Sequence, residues 1–273
     1  MPNLPMPIGR AVALAALVGT MLCGVASPAI AQEPPTVDEV VRKANHMAYY
    51  QGSDGKARVI LTITDPQGRA RVKEFTILRL NEGSGDSEQK FYVYFHHPAD
   101  ERGVVFMVWK HLHIDDDRWL YLPALDVQKR IAASDERTSF VGSNFFYEDV
   151  SGRSPEDDVH ELLEVTDNYF VLKNTPKSSD SVEFDSFTMW IHKGTFIPIE
   201  VKYEKGGEVY RVAKVLAVKT IDGYPTVTKS QMSDLRTGGT TVLEYSTVKY
   251  DIGLSAELFS ERYLRAPPRR YLE

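Results

Sequence analysis

Two histidines and three aspartates lie close together in the sequence, a combination that could bind a metal ion. His111 and His113 flank a single residue, so on a β-strand both imidazoles would point to one face. Asp115, Asp116 and Asp117 follow and offer carboxylate ligands for zinc or another divalent cation. Three consecutive acids are also typical of a solvated hairpin tip, and the sequence identifies no distant third ligand. We therefore predict no metal site and keep His111 and His113 as weak candidates.

Other catalytic motifs are missing from the sequence. There is no G-x-S-x-G nucleophile elbow, no His-Glu-x-x-His zinc motif and no phosphate-binding loop between a strand and a helix. Paired carboxylates occur throughout a chain this acidic, so they do not identify an active site. We therefore predict a protein that is not an enzyme and that uses no cofactor.

The N-terminus has the pattern of a secretory signal peptide. Arg10 supplies a positive charge, the apolar run Ala11 to Leu22 is too short to span a bilayer, and Ala29-Ile30-Ala31 fits a signal-peptidase site. We predict cleavage after Ala31, a periplasmic location, and a single domain over residues 32–273. Cys23 would be removed with the leader, since the residues around it depart from the lipoprotein pattern. The mature chain would then contain no thiol ligand, nucleophile or disulfide.

The charge balance bears on the type of partner. The formal net charge is −6, and a nucleic-acid backbone is bound by clustered Lys and Arg. A nucleic-acid partner is therefore not predicted, whereas a lipid partner is compatible with this composition.

Hydrophobic periodicity predicts one helix followed by many strands. Thr36 and Glu39 form a capping-box pattern before apolar residues at helical spacing from Val37 to Tyr50. From Arg58 onward the period changes to two, and short segments alternate with turn signals up to Tyr250. A helical turn at Ser255 to Phe259 and a polar tail end the chain. The predicted fold is mainly β, an antiparallel half-barrel of about eleven strands with helices packed as a lid on its concave face.

Large apolar side chains recur on these strands, where they could form a core or line a ligand cavity. The stretch Trp119 to Leu122 fits either a buried strand or a pocket wall. The sequence does not show which alternate residues of this strand face the concave side, and we choose Trp119 and Tyr121 over Leu120 and Leu122. The predicted apolar cavity residues are Leu61, Ile63, Phe75, Ile77, Phe91, Val93, Phe95, Met107, Trp119, Tyr121, Phe140, Phe145, Phe146, Met189 and Ile191.

Three stretches together resemble the LolA-like outer-membrane lipoprotein-sorting proteins of bacteria. They are ADERG (Ala99 to Gly103), DDRWLYLPAL (Asp116 to Leu125) and SNFFYED (Ser143 to Asp149). The resemblance continues through Gly223-Tyr224-Pro225 to the strand that ends at Tyr250, and covers nearly all of residues 32–273.

This resemblance implies a function and a set of partners. Carriers of this fold shield lipoprotein acyl chains in an apolar half-barrel, so lipid or lipoprotein acyl chains are the expected cargo. An inner-membrane transporter and an outer-membrane acceptor are the implied partners. A strand arginine contacts the lid in such carriers, and Arg79 or Arg118 could fill that role here. Two alternatives remain: an accessory protein of an RND/MMPL-type exporter, and a non-transport binding or structural module filled by its own side chains.

Overall fold

The structure is a computed structural model that describes residues 34–83, 85–111, 114–131, 139–179 and 182–272. The predicted signal peptide lies outside the described residues. Residues 35–273 form one compact unit.

The described residues form one antiparallel sheet of 13 strands. Every segment with period-two alternation is a strand, so the mainly β prediction is confirmed, although 13 strands exceed the predicted number of about eleven. The strands are β1 Asp54–Thr64, β2 Ala70–Glu82, β3 Glu88–His97, β4 Val105–Lys110, β5 Asp117–Leu122, β6 Val127–Ile131, β7 Asp158–Val165, β8 Tyr169–Pro176, β9 Ser186–His192, β10 Pro198–Lys205, β11 Glu208–Ile221, β12 Tyr224–Asp234 and β13 Thr240–Tyr250.

The sheet consists of two meanders that share one central pairing. Strands β1–β6 follow one another on one side, strands β7–β13 follow on the other, and β1 pairs with β13 at the centre. The order therefore runs from β6 at one edge to β7 at the other without closing into a barrel. Register shifts interrupt the ladders, for example between Val215 and Ala217, and such bulges bend strands and increase their twist. The result is the predicted curved half-barrel.

This topology requires the chain to cross the whole sheet between its two edge strands. We call residues 139–157 the crossing segment; it contains the short helix α2 (Tyr147–Ser151) and single helical turns at Phe140–Gly142 and Pro155–Asp157. Phe140, Phe145 and Tyr147 are buried against strands β1–β4 on one face of the sheet. The crossing segment therefore covers that face.

An N-terminal helix covers the same face. Helix α1 (Val37–Asn45) continues as a π-helical segment (His46–Tyr50), and we call residues 36–51 the lid. The predicted capping box is confirmed, because Glu39 N donates to Thr36 Oγ1 at 3.3 Å and Thr36 N donates to Glu39 Oε2 at 2.9 Å. The lid residues Val40, Val41 and Ala44 are buried against strands β8 and β9.

The opposite, convex face is covered by the end of the chain. The C-terminal cover, residues 251–272, contains a helical turn at Ala256–Phe259 and the short helices α3 (Arg262–Arg265) and α4 (Arg269–Leu272). Leu264 and Leu272 are buried at 0% and 3% exposure. The prediction of a polar tail is therefore wrong: its few apolar residues are spaced so that they pack onto the sheet. No helix among the described residues has the length and apolar character needed to cross a membrane.

Candidate functional site

A cavity of about 430 Å³ lies between the concave face of the sheet, the lid and the crossing segment. Its wall is mainly apolar and is built from the lid and from strands of both meanders. The apolar and aromatic lining residues are Val41, Ala44, Met47, Ala48, Tyr49, Ala57, Phe75, Ile77, Phe91, Phe140, Phe145, Val150, Phe187, Met189, Ile197, Val201, Tyr203, Ala213, Val227, Met232, Leu243, Tyr245, Val248 and Tyr250.

Six of the predicted cavity residues line this space. Three of them, Phe75, Ile77 and Phe91, lie on β2 and β3 and belong to the alternate positions that face the crossing segment. The other three lie on the crossing segment and on β9. They are Phe140, Phe145 and Met189.

Five further predicted residues pack near the cavity without lining it. Leu61, Ile63, Val93 and Phe95 belong to the same concave cluster, and each is at most 6% exposed. Ile191 is fully buried beneath the lid. These side chains support the wall.

Phe146 has a different environment. Its ring stacks on the guanidinium of Arg211, 4.0 Å from ring centroid to Cζ. It contributes to the anchor of the crossing segment instead of to the cavity wall.

The prediction that Met107, Trp119 and Tyr121 line the cavity is wrong, because the structure places all three on the convex face beneath the C-terminal cover. Leu120, of the opposite parity on β5, packs against the concave cluster. Both faces of β5 are apolar, so strand alternation alone could not distinguish the cavity side from the covered side.

The C-terminal end of the lid is held to the sheet by buried polar side chains. The guanidinium of Arg79 donates to the carbonyl oxygens of Tyr49 and Gln51. Gln89 Nε2 donates to the Tyr49 carbonyl at 2.6 Å, and Asn81 Nδ2 donates to the Tyr50 carbonyl at 2.9 Å. Burial lowers the pKa of Arg79. Since these donors meet the carbonyls that end a helix, they fix the lid at this end.

Of the two lid-arginine candidates, Arg79 is the one that contacts the lid. Arg118 instead binds Asp116, with 2.7 Å between Nη2 and Oδ2. The sequence contains both arginines on predicted strands. Only the position of each strand relative to the lid shows which arginine contacts it.

A buried ion pair anchors the crossing segment to the second meander. Arg211 on β11 contacts the carboxylate of Asp149 on α2, and its guanidinium lies 4.5 Å from the centroid of the Tyr203 ring. Asp149 Oδ2 also accepts a hydrogen bond from Phe146 N at 2.6 Å. The pKa of Arg211 is raised: burial opposes its charge, but the adjacent carboxylate outweighs that cost. A carboxylate with several donors holds α2 over the sheet.

A second polar group lies where the crossing segment reaches β7. Arg153 Nε donates to Asp158 Oδ2 at 3.0 Å, and burial raises the pKa of Asp158 although Arg153 opposes that shift. His160 Nδ1 lies 2.7 Å from Asn174 Oδ1, and its Nε2 lies 2.8 Å from the carbonyl of Pro155. All four side chains contribute to the cavity wall. The cavity is therefore apolar with localised polar groups.

Strands β10–β13 and the lid contribute wall residues that the sequence analysis missed. Tyr203, Met232, Leu243 and Tyr245 all line the cavity. The apolar residues at every second position of these strands are visible in the sequence; Leu243 and Tyr245, for example, are two residues apart. What was missing was the pairing of β1 with β13, which places these strands opposite Phe75 and Phe91.

The histidine–aspartate stretch does not form a metal site within the described residues, where no group of three or more His, Cys, Asp or Glu side chains is arranged to hold an ion. His111 Nε2 lies 3.4 Å from Asp117 Oδ2, and its backbone N–H donates to Asp116. His113 lies outside the described residues.

The chain matches one family model and several solved structures. Residues 87–266 match a family model described as that of an uncharacterized protein. The search of curated proteins finds no match.

Three solved structures share the fold. A DUF1329 family protein from Desulfovibrio piger is 26% identical, with a TM-score of 0.76 over 85% of this chain and 100% of its own. A putative outer membrane lipoprotein-sorting protein domain from Vibrio parahaemolyticus is 25% identical, with a TM-score of 0.74 over 83% of this chain and 97% of its own. A LolA superfamily protein from Nitrosomonas europaea is 21% identical, with a TM-score of 0.64 over 84% of this chain and 100% of its own.

The family model covers well over half of the chain, and the solved relatives span nearly the whole sheet and its covering segments. The chain therefore belongs to the family of this model, and its half-barrel with the covering segments is the LolA-like fold that these solved structures share.

Proposed function

We propose that this protein is a periplasmic carrier that shields lipid or lipoprotein acyl chains in the cavity beneath its lid and moves them towards the outer membrane. The observation that carries the proposal is the mainly apolar cavity of about 430 Å³ that lies between the sheet, the lid and the crossing segment. Ligand pockets for small molecules are commonly about 300–1,000 Å³ and mainly apolar, so this space suits an acyl chain or a compact lipid.

The free energy of hiding a lipid chain explains why the cavity needs covers. Transfer of a sixteen-carbon chain out of water is worth roughly 12 kcal/mol, at about 0.8 kcal/mol per methylene group. A carrier must offer comparable apolar surface, and that surface must not face water when no cargo is bound. The lid and the crossing segment supply this protection, since Val41, Ala44 and Phe140 lie over the concave face.

Two further features support a carrier. The N-terminal leader pattern ending at Ala31 favours export, and one relative is named as a putative outer membrane lipoprotein-sorting domain. On this proposal, a donor in the inner membrane loads the cavity and an acceptor at the outer membrane empties it.

Native mass spectrometry tests the proposal directly. The mature protein would be purified from periplasm without detergent, alongside Ala213→Phe, which places a ring in the cavity. We expect the wild-type protein to carry an extra mass that organic extraction removes and identifies as lipid, and the variant to carry much less. A wild-type protein that stays free of ligand after incubation with membrane lipids and lipoproteins would contradict the proposal and favour a non-transport module.

A further inference from the structure

Strand β7 lies at one edge of the sheet and has an exposed apolar surface. It pairs with β8, and no other described strand pairs with it. Its exposed large apolar side chains are Val159 at 57%, Leu162 at 39%, Leu163 at 51% and Val165 at 52%. A long edge strand with exposed apolar side chains is a template for pairing with another chain. β7 is therefore a candidate interaction surface.

The strand at the opposite edge, β6, lacks this character. β6 has five residues, and its exposed side chains include Lys129 and Arg130. Short length and basic side chains are features by which native proteins prevent edge-to-edge association. β7 has eight residues and contains no lysine, arginine or proline. Of the two edges, β7 is the one with the length and the apolar surface of a docking strand.

The backbone of β7 also directs hydrogen-bonding groups away from the sheet. In an antiparallel pair, successive residues alternate between bonding to the neighbouring strand and facing away from it. The carbonyl of Asp157 accepts from Lys177 N at 2.9 Å, and the register is regular up to Leu162, an odd number of residues further on. At the other end, Thr166 N, directly after Val165, donates across the turn at 2.9 Å. The N–H groups of Leu162 and Val165 therefore point outward.

The side chains of β7 differ in chemistry between its two faces. Leu162 and Val165 pair with residues of β8 that are buried beneath the lid. Since paired residues of neighbouring strands share a face, these two apolar side chains lie on the lid side of β7. Glu161 and Glu164 lie on the opposite face, and both are exposed. The edge therefore presents an apolar side and an acidic side.

We propose that β7 binds an extended segment of a partner protein in which apolar and basic side chains alternate. Addition of a strand to a sheet edge supplies affinity through backbone hydrogen bonds and specificity through the alternate side chains. The apolar side chains of the segment cover Leu162 and Val165, and its basic side chains face Glu161 and Glu164. Because helix α1 contacts β7, the bound segment lies beside the lid. These four side chains do not line the cavity, so the inference does not depend on the cargo.

Two capped peptides of the length of β7 test the charge preference. One alternates Lys with Val, and the other alternates Glu with Val, so the apolar side chains are the same in both. Dissociation constants would be measured by titration calorimetry with the mature protein. We expect the wild-type protein to bind the Lys-Val peptide about tenfold more tightly or better, because each basic side chain that faces an acid is favourable and each acidic one is not.

Charge-reversed variants locate the binding. Glu161→Lys combined with Glu164→Lys should reverse the preference, so that the Glu-Val peptide becomes the tighter ligand. Asp100→Lys combined with Glu208→Lys is the matched control, since both acids are exposed, lie outside β7 and give the same change in net charge. The control should keep the preference of the wild-type protein. Substitutions at exposed positions such as these have small effects on folding.

Amide hydrogen exchange followed by NMR tests whether the peptide adds as a strand. The outward N–H groups of Leu162 and Val165 should exchange more slowly when the Lys-Val peptide is bound. The N–H of Glu161 should change little, because it already faces β8 in the free protein.

Each contrary outcome overturns the inference. No measurable binding of the Lys-Val peptide, or equal binding of the two peptides, would show that β7 does not select a basic segment. Binding that leaves the exchange of Leu162 and Val165 unchanged would place the peptide elsewhere. Exchange at these two amides that slows with protein concentration in the absence of peptide would show that a second copy of this chain occupies the edge.

Discussion

On the convex face, the side chains of β2–β5 pack directly against the C-terminal cover, whereas on the concave face the lid and the crossing segment leave a cavity of about 430 Å³. The convex contacts combine apolar burial with direct hydrogen bonds: Trp109 Nε1 donates to the carbonyl of Phe259 at 2.6 Å, and the hydroxyl of Tyr92 donates to the carbonyl of Tyr263 at 2.7 Å. The same strands thus carry a filled face and a hollow one.

The two covers also differ in how they are attached. The start of the C-terminal cover is fixed by Asp54, whose carboxylate accepts from Ile252 N at 2.7 Å and from Leu254 N at 2.8 Å. The lid is fixed by hydrogen bonds to the sheet at its C-terminal end, and its α1 part lies on β8 and β9 through apolar contacts. Apolar contacts are not directional, so on the proposed function this part of the lid is the better suited to move when a ligand enters the cavity.

The largest expected effect is on stability, from a change in the filled face. Phe259 is fully buried in the C-terminal cover. Phe259→Ala should lower the free energy of unfolding by about 3–5 kcal/mol, because a large cavity replaces packed atoms. Urea unfolding would measure the loss. Ligand affinity of the folded protein should stay close to wild type, and a large loss of affinity would show that the two faces are not independent.

A second effect depends on pH and involves Lys110 on β4, next to the crossing segment. Lys110 Nζ donates to the carbonyl of Ser151 at 2.9 Å, and burial lowers its pKa from 10.5 to about 8. Below pH 8 both the folded and the unfolded chain are protonated, and the folded chain bears the full cost of the buried charge. As pH rises above 8, the folded chain loses the proton first and this cost fades.

The unfolding free energy of the wild-type protein should therefore rise between about pH 8 and 9.5 relative to Lys110→Met. The part of this shift that falls between pH 8 and 9.5 corresponds to roughly 2 kcal/mol. Chemical denaturation at several pH values would check it. The comparison stays below pH 10 because burial also raises the pKa of Tyr50 to about 12. Above pH 10 the unfolded chain loses this tyrosine proton before the folded chain does, so the unfolding free energy falls as pH rises. If the difference in unfolding free energy between the wild-type protein and the Lys110→Met variant does not change across this pH range, the lowered pKa of Lys110 is contradicted.

A smaller effect is expected from filling the hollow face. Ala213 lines the cavity, so Ala213→Phe should weaken binding of a long-chain ligand by about tenfold or more. The unfolding free energy should change by less than about 1 kcal/mol, because the ring enters open space instead of a packed core. Titration calorimetry and urea unfolding give the two values. Ile60→Phe, at a 39% exposed position of β1, is the matched control and should change neither.

The smallest effect is expected from His96, beneath the end of the C-terminal cover. Its Nε2 lies 2.9 Å from Thr76 Oγ1, which donates to the carbonyl of Leu272 at 3.1 Å. Burial lowers the pKa of His96 from 6.5 to about 4. Between these values the unfolded chain binds a proton that the folded chain does not, so the unfolding free energy should fall as pH drops from 6.5 to 4.

His96→Gln should remove this part of the acid sensitivity, as measured by thermal unfolding across the same pH range. The effect is small because a half-exposed imidazole is screened by water. Equal acid sensitivity of the variant and the wild-type protein would assign the effect to other groups.

The sequence predicted the strands and the lid helix because each is encoded locally. Strand alternation identified the segments from β1 to β13, and the capping box at Thr36 marked the start of α1. The faces could not be assigned in the same way. On β3, Phe91, Val93 and Phe95 alternate with Tyr92 and Tyr94, so both faces are apolar and only the segments that cover them distinguish the two.

Those covering segments come from distant parts of the chain. The C-terminal cover reads as polar because arginines surround Leu264 and Leu272, yet these two leucines fill the convex face. The cavity wall depends on the pairing of β1 with β13, which joins residues that are distant in the sequence, such as Gly55 and Tyr250. Long-range pairing of this kind has no local signal in one sequence.

Photocrosslinking with an acyl chain that carries a diazirine near its end tests the central claim most directly. The mature protein would be loaded with the probe, irradiated and digested, and the modified residues identified by mass spectrometry. The account predicts labels on concave residues such as Phe75, Phe91 and Met232, with competition by unlabelled ligand. Competed labels on Met107, Trp119 or the C-terminal cover would contradict it, because the cargo would then bind the face that the structure shows as filled.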